Sequence, residues 1–131
     1  MVPPEPGPDS RFFWDGLADG RLLLPLCRSC GHMWFPPIPC CPRCGGIDVG
    51  DGEAAGTGRL YSWVVTHHPF DTAYAEDVPY TVAVVTLDEG PRLVGRLFRA
   101  DPAALVPDQP MRAVRYTTRG QPLLGFVPTD T

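Results

Sequence analysis

Cys27-Arg28-Ser29-Cys30-Gly31 and Cys41-Pro42-Arg43-Cys44-Gly45 are two copies of one pattern, with ten residues between Cys30 and Cys41. Each CxxC sets two sulfurs on one side of a tight turn. The glycine after the second cysteine frees the backbone to complete that turn. Two such knuckles supply four sulfurs in a tetrahedron about 2.3 Å from a Zn²⁺ ion, so the spacing predicts a zinc ribbon held by Cys27, Cys30, Cys41 and Cys44. Four sulfurs fill the coordination shell and leave no position for an activated water, which makes the expected metal structural rather than catalytic. Rubredoxin-type iron uses the same knuckles, but so short a loop suits zinc better. A pair of disulfides is the other reading; it fits a reducing compartment poorly. Cys40 is expected to point away from the metal as a bystander, and His32 to be a surface residue beside a filled shell.

Downstream of the knuckles the chain has no further cysteine and becomes β in character. Residues 60–67, 80–88, 92–99, 111–118 and 122–127 are strand-length runs rich in β-branched and aromatic residues. Asp88-Glu89-Gly90-Pro91 signals a tight hairpin between the second and third runs. Asp101-Pro102-Ala103-Ala104 reads as one helical turn, capped by Asp101 with Pro102 at its first position. Five strands with a small helical insert between the third and fourth predict a Greek-key barrel of the OB type, with a five-stranded SH3-like barrel as the alternative.

Upstream, residues 1–9 form a proline-rich lead, expected to be disordered, and Ser10 can cap a short helix over 11–19 that stops at Gly20. Phe13 and Leu17 share one face of that helix, whereas Phe12 and Trp14 point elsewhere. Three consecutive aromatics either fold back on the body or present a partner surface. The expected architecture is mostly β: lead and short helix over 1–20, zinc ribbon over 21–50, and a five-stranded OB-fold barrel over 56–128.

Charge and composition narrow the chemistry. The 131 residues carry a net charge of −4, and all eleven basic residues are arginine. With no lysine, Schiff-base catalysis and a P-loop are excluded. No apolar run approaches the roughly 18 residues of a membrane span, and the first ten residues lack the basic end and apolar core of a signal peptide. A cytoplasmic location is the expectation. His67 and His68 end the first barrel strand, where adjacent residues face opposite sides and chelate poorly. No serine or cysteine nucleophile at a recognisable elbow accompanies them, and no metalloprotease or paired-carboxylate motif occurs. No autonomous active site is legible.

Taken together, Phe13-Trp14, Gly20-Arg21-Leu22, the two knuckles and the Phe35-Pro36-Pro37 between them resemble the DUF35 family, a rubredoxin-like zinc ribbon followed by an OB-fold. Gly58-Arg59-Leu60-Tyr61-Ser62-Trp63, Pro79-Tyr80 and Glu89-Gly90-Pro91-Arg92-Leu93 extend the resemblance through the barrel, so that it covers about residues 11–128. The family often has a longer helical N-terminus, and a residue other than cysteine is expected at Cys40. The resemblance implies an accessory role beside thiolase-like enzymes acting on acyl-CoA, including steroid side-chain aldolases and acyltransferases. The small protein then bridges subunits and helps to hold the CoA thioester, while the partner carries the chemistry. Phe12, Phe13 and Trp14 become candidate partner contacts, and His67, His68, Arg92 and Arg96 candidate CoA contacts.

Two other functions compete. Zinc ribbons and OB barrels both occur in nucleic-acid-binding modules, but the acidic balance of the chain counts against that. Arg92 and Arg96 share a strand face, with Arg99 on the other, and could grip CoA phosphates as readily as a nucleic-acid backbone. Rubredoxin-like electron transfer would need iron in place of zinc.

Overall fold

A computed structural model describes residues 10–67, 79–118 and 120–129. The expected disorder of residues 1–9, His68 and the loop that follows it therefore lie outside the described residues. The order of elements is helix α1 (Arg11–Ala18), strands β1 (Leu22–Cys27), β2 (Val49–Ala54), β3 (Thr57–Thr66), β4 (Tyr80–Leu87) and β5 (Arg92–Leu97), a 3-10 turn (Pro102–Ala104), then β6 (Pro110–Thr118) and β7 (Gln121–Pro128). No helix among the described residues is long and apolar enough to cross a membrane.

Strands β1 and β2 pair antiparallel from Leu22↔Ala54 to Cys27↔Val49. The ribbon's sheet thus runs through Ala54. Exposed ion pairs, Arg21–Glu53 at 3.0 Å and Arg28–Asp48 at 3.1 Å, edge this sheet and add little stability. The remaining strands close a barrel in the order β3-β4-β5-β7-β6. Two short seams complete it: β3 meets β6 antiparallel at Thr57↔Arg112 to Arg59↔Pro110, and β5 meets β7 in parallel at Arg96↔Gly125 and Leu97↔Phe126. This five-stranded Greek-key closure is that of an OB-fold.

Local sequence explains the corners. Asp101 accepts a hydrogen bond from the Ala103 amide at 3.0 Å and starts the 3-10 turn, with Pro102 where no amide is needed. At Asp88–Pro91 the hairpin closes through Gly90 N–H to Leu87 and Leu87 N–H to Pro91, both at 2.9 Å. Gly58 lies where β3 crosses close over β4; a Cβ there would collide with the Thr86 carbonyl oxygen, so only glycine fits. A register shift between Leu60 and Ser62 marks a bulge that bends β3 around the barrel.

Helix α1 starts through the Ser10 carbonyl, which accepts from the amides of Phe13 and Trp14, and not through the expected side-chain cap. Gly20, at φ +80°, ends it. Phe13 and Leu17 are buried and join Leu22 and Leu24 of β1 in the same apolar cluster as Leu60, Val85 and Phe126 of the barrel. Helix, ribbon sheet and barrel therefore share one core. The Arg115 guanidinium also donates to the Ala18 carbonyl, pinning the end of α1 to β6.

Candidate functional site

The two knuckles are built alike because their sequences are alike. In the first, Gly31 N–H reaches the Cys27 carbonyl at 2.8 Å and Cys27 N–H reaches the His32 carbonyl at 2.9 Å. In the second, Gly45 N–H reaches Cys41 and Cys41 N–H reaches Gly46, both at 2.8 Å. Gly31 and Gly45 sit at φ +79° and +75°, the left-handed conformation that glycine adopts at no steric cost. Backbone amides point at the sulfurs: Cys30 N–H at Cys27 Sγ, Arg43 and Cys44 N–H at Cys41 Sγ, and Gly46 N–H at Cys44 Sγ, all at 3.4 Å.

The sulfurs of Cys27, Cys30, Cys41 and Cys44 all lie within 4.8 Å of one another. Across the knuckles, Cys27 to Cys44 is 3.6 Å and Cys30 to Cys41 is 3.7 Å. A regular tetrahedron with metal–sulfur bonds of about 2.3 Å has edges of about 3.8 Å, so the donor geometry fits zinc. All five cysteines are free of disulfides, and Cys40 is exposed and outside the cluster.

Electrostatics point the same way. The Cys30 amide lowers the Cys27 thiol pKa to about 6. Burial raises that of Cys41, but the amides of Cys44 and Arg43 more than offset it. The Gly46 amide lowers that of Cys44, yet the sulfurs of Cys27, Cys30 and Cys41 together push it up to about 12. Four sulfurs this close cannot all be thiolates near neutral pH unless a cation lies among them. The donor set is that of a structural zinc site. Trp34 is buried against Cys27 and Cys41, shielding the site from one side, and its ring stacks on His32 at 5.9 Å. His32 is therefore half-buried packing rather than a surface residue.

The other candidates lie away from the cysteine cluster, and only some of them lie together. Phe13 is 3% exposed, with ring centroids of Trp14 at 5.0 Å and Phe35 at 5.2 Å. This corrects its reading as a partner contact, because the Phe35 loop and β7 fold over the helix face that carries it. Phe12 and Trp14 are half-buried. His67 is exposed just past β3, and His68 lies outside the described residues. Arg92 and Arg96 both face outward on β5, one turn of pleat apart from Val94, and so about 13 Å separates them along the strand. Arg92 stacks over Tyr61 at 3.8 Å; Arg96 lies over Tyr80 at 5.2 Å and Phe98 at 5.4 Å. Phe13, Trp14 and Arg96 come together around one slot, whereas Arg92 and His67 lie outside it.

Sequence reasoning missed an apolar slot of about 280 Å³ whose walls include Trp14, Phe35, Val82, Leu93, Arg96 and Leu123. It opens where β5 and β7 part after only two paired residues. Its walls come from six separate segments, so no local pattern announces it.

The family profile described as "ChsH2, rubredoxin-like zinc ribbon domain" matches residues 14–49, and "ChsH2, C-terminal OB-fold domain" matches residues 52–115. A probable enoyl-CoA hydratase alpha subunit of Thermomonospora curvata is 45% identical over 89 residues, 68% of this chain and 27% of that protein. The benzoylsuccinyl-CoA thiolase subunit BbsA of Thauera aromatica is 29% identical over 94% of this chain and 90% of its own. The chain spans between 27% and 59% of the length of the first curated relatives it matches. Among solved structures, a chain of the "Ltp2-ChsH2(DUF35) aldolase" superposes with a TM-score of 0.86 at 36% identity, over 96% of this chain and 98% of that one. Ribbon and barrel are thus matched in order, and a solved relative overlays both: the chain belongs to the DUF35 family.

Proposed function

We propose that the chain is a non-catalytic accessory subunit of a thiolase-like acyl-CoA enzyme, an aldolase or acyltransferase, working in the cytoplasm as part of a hetero-oligomer. The observation that carries this reading is the likeness over nearly the whole chain to a component of an aldolase complex, joined by a thiolase subunit of similar length. The residues agree with it. Cys27, Cys30, Cys41 and Cys44 hold the zinc, which cross-links the ribbon and supplies no reactive position. The ribbon sheet and helix α1 are welded to the barrel through their common core, so the chain presents a rigid body to a partner. The partner carries the bond-breaking step, and this chain positions the thioester.

The test is a steady-state assay of the chain alone, the co-purified thiolase-like partner alone, and the mixture, over a panel of acyl-CoA and β-hydroxyacyl-CoA thioesters. The chain alone is expected to turn over none of them, and the mixture to exceed the partner by roughly 10²-fold, the scale set by misplacing reacting groups by about 1 Å. Turnover by the isolated chain that is lost in His67→Ala would make it an enzyme. Salt-sensitive binding to single-stranded RNA, with no effect on any acyl-CoA enzyme, would make it a nucleic-acid module.

A further inference from the structure

The outward positions of β3, β4 and β5 form a continuous face with an unusual composition. The register sets Val64 opposite Val82 and Val84 opposite Val94, so four valines adjoin one another across three strands. Val64 and Val94 are 63% and 59% exposed, and they stand with Tyr61 among the few large apolar side chains open to solvent. The charged residues at outward positions are Arg59, Arg92 and Arg96, with no acidic side chain between them among the described residues. Asp88 and Asp108 lie at the end that Arg59 and Arg92 share, where the Asp108 carbonyl accepts from Arg59 at 3.2 Å. An apolar centre whose charged outward positions among the described residues are all arginine is set off from the rest of a chain of net charge −4. Val82, Val94 and Arg96 also line the slot beside α1, so the face continues into a concavity.

We propose that this face docks the thiolase-like partner, taking a partner surface that seats an apolar side chain in the slot and borders it with carboxylates for Arg92 and Arg96. The inference rests on the accessory reading and names the surface through which it works. Charge sign and side-chain chemistry select this occupant. A second copy of the chain would bring arginine against arginine. A nucleic-acid strand needs open rings to stack on, and Arg92 already covers Tyr61 at 3.8 Å, while the valines offer none. Aliphatic contact in a desolvated centre, with a charged border, is the anatomy of a protein–protein contact.

The experiment measures the Kd between the full chain and its co-purified thiolase-like partner for wild type, Val94→Glu, Arg92→Glu and the control Ile47→Glu, whose side chain is 86% exposed on the ribbon. Zinc content and thermal melting confirm that each variant is folded. Val94→Glu is expected to weaken binding by roughly 30-fold or more, the scale of a central contact. Arg92→Glu should weaken it less and reduce its salt dependence, and Ile47→Glu should stay within about twofold. Wild-type affinity in folded Val94→Glu would overturn the face while leaving the accessory reading intact. A wild-type chain that binds no thiolase-like protein would overturn both. Loss in Val94→Glu of self-association, or of RNA binding, in place of partner binding would overturn the assigned occupant.

Discussion

Removing zinc is expected to unfold the ribbon and to take much of the barrel's stability with it. A structural zinc site contributes on the order of 10–16 kcal/mol to folding, as much as the roughly 5–15 kcal/mol that holds a whole domain together. The ribbon's own apolar cluster is Cys27, Trp34 and Cys41 with Val49 beside them, too little to hold it without metal. The outer face of its sheet is not independent either, since Leu22, Leu24 and Ala54 belong to the barrel's core. Chelation should therefore lower the melting temperature of the entire chain and abolish the near-ultraviolet dichroism of Trp34. Cys27→Ser and Cys44→Ser should be insoluble or metal-free. Cys40→Ser should bind one zinc per chain and melt within a few degrees of wild type, because its side chain is exposed and outside the cluster. Acidification should release the metal, since protons compete for the same sulfurs. An apo chain that melts where the holo chain does would overturn this account, and a Cys40→Ser variant that loses zinc while Cys41→Ser keeps it would overturn the ligand assignment.

Features that depend on neighbouring residues were legible in the sequence, and features that depend on topology were not. Each knuckle needs only consecutive residues and a glycine at positive φ, so CxxCG announces it. The same holds for Asp101-Pro102 and the Asp88–Pro91 hairpin, where one cap or one turn decides the backbone. The outer valine face was hidden for the opposite reason. Strand β4 reads Tyr80-Thr-Val-Ala-Val-Val-Thr-Leu87, apolar on both faces, a pattern that also describes a strand covered on both sides. Only the register with β3 and β5 separates inward Ala83 and Val85 from outward Val82 and Val84. The slot is further out of reach, because its walls meet only after the parallel β5–β7 seam has formed. Helix α1 stood between these cases: its stop at Gly20 was readable, while the body its aromatics would meet was not.

Replacing Phe13 with alanine is expected to cost roughly 3–5 kcal/mol, the range for a large aromatic lost from a packed core. Phe13 is 3% exposed and packs edge-on to its neighbour Trp14, and it ties the helix to two segments distant in sequence: it lies against Phe35 of the loop between the knuckles and enters the barrel's apolar cluster. The slot beside it already supplies empty space, so the cavity left by alanine would merge with that opening rather than collapse. At this chain length the loss corresponds to a drop in melting temperature of roughly 10–20 °C. Trp14 is half-buried at the slot's edge, so Trp14→Ala should lower the melting temperature less than Phe13→Ala does and should weaken partner binding more than it weakens the fold. Thermal melting of zinc-loaded variants, paired with gel filtration of their complexes with the partner, separates the two roles. Phe13→Ala that melts like wild type yet fails to form the complex would return Phe13 to the partner surface. Its loss of stability together with retained binding would place the residue where the burial does, holding the helix and the Phe35 loop onto the barrel.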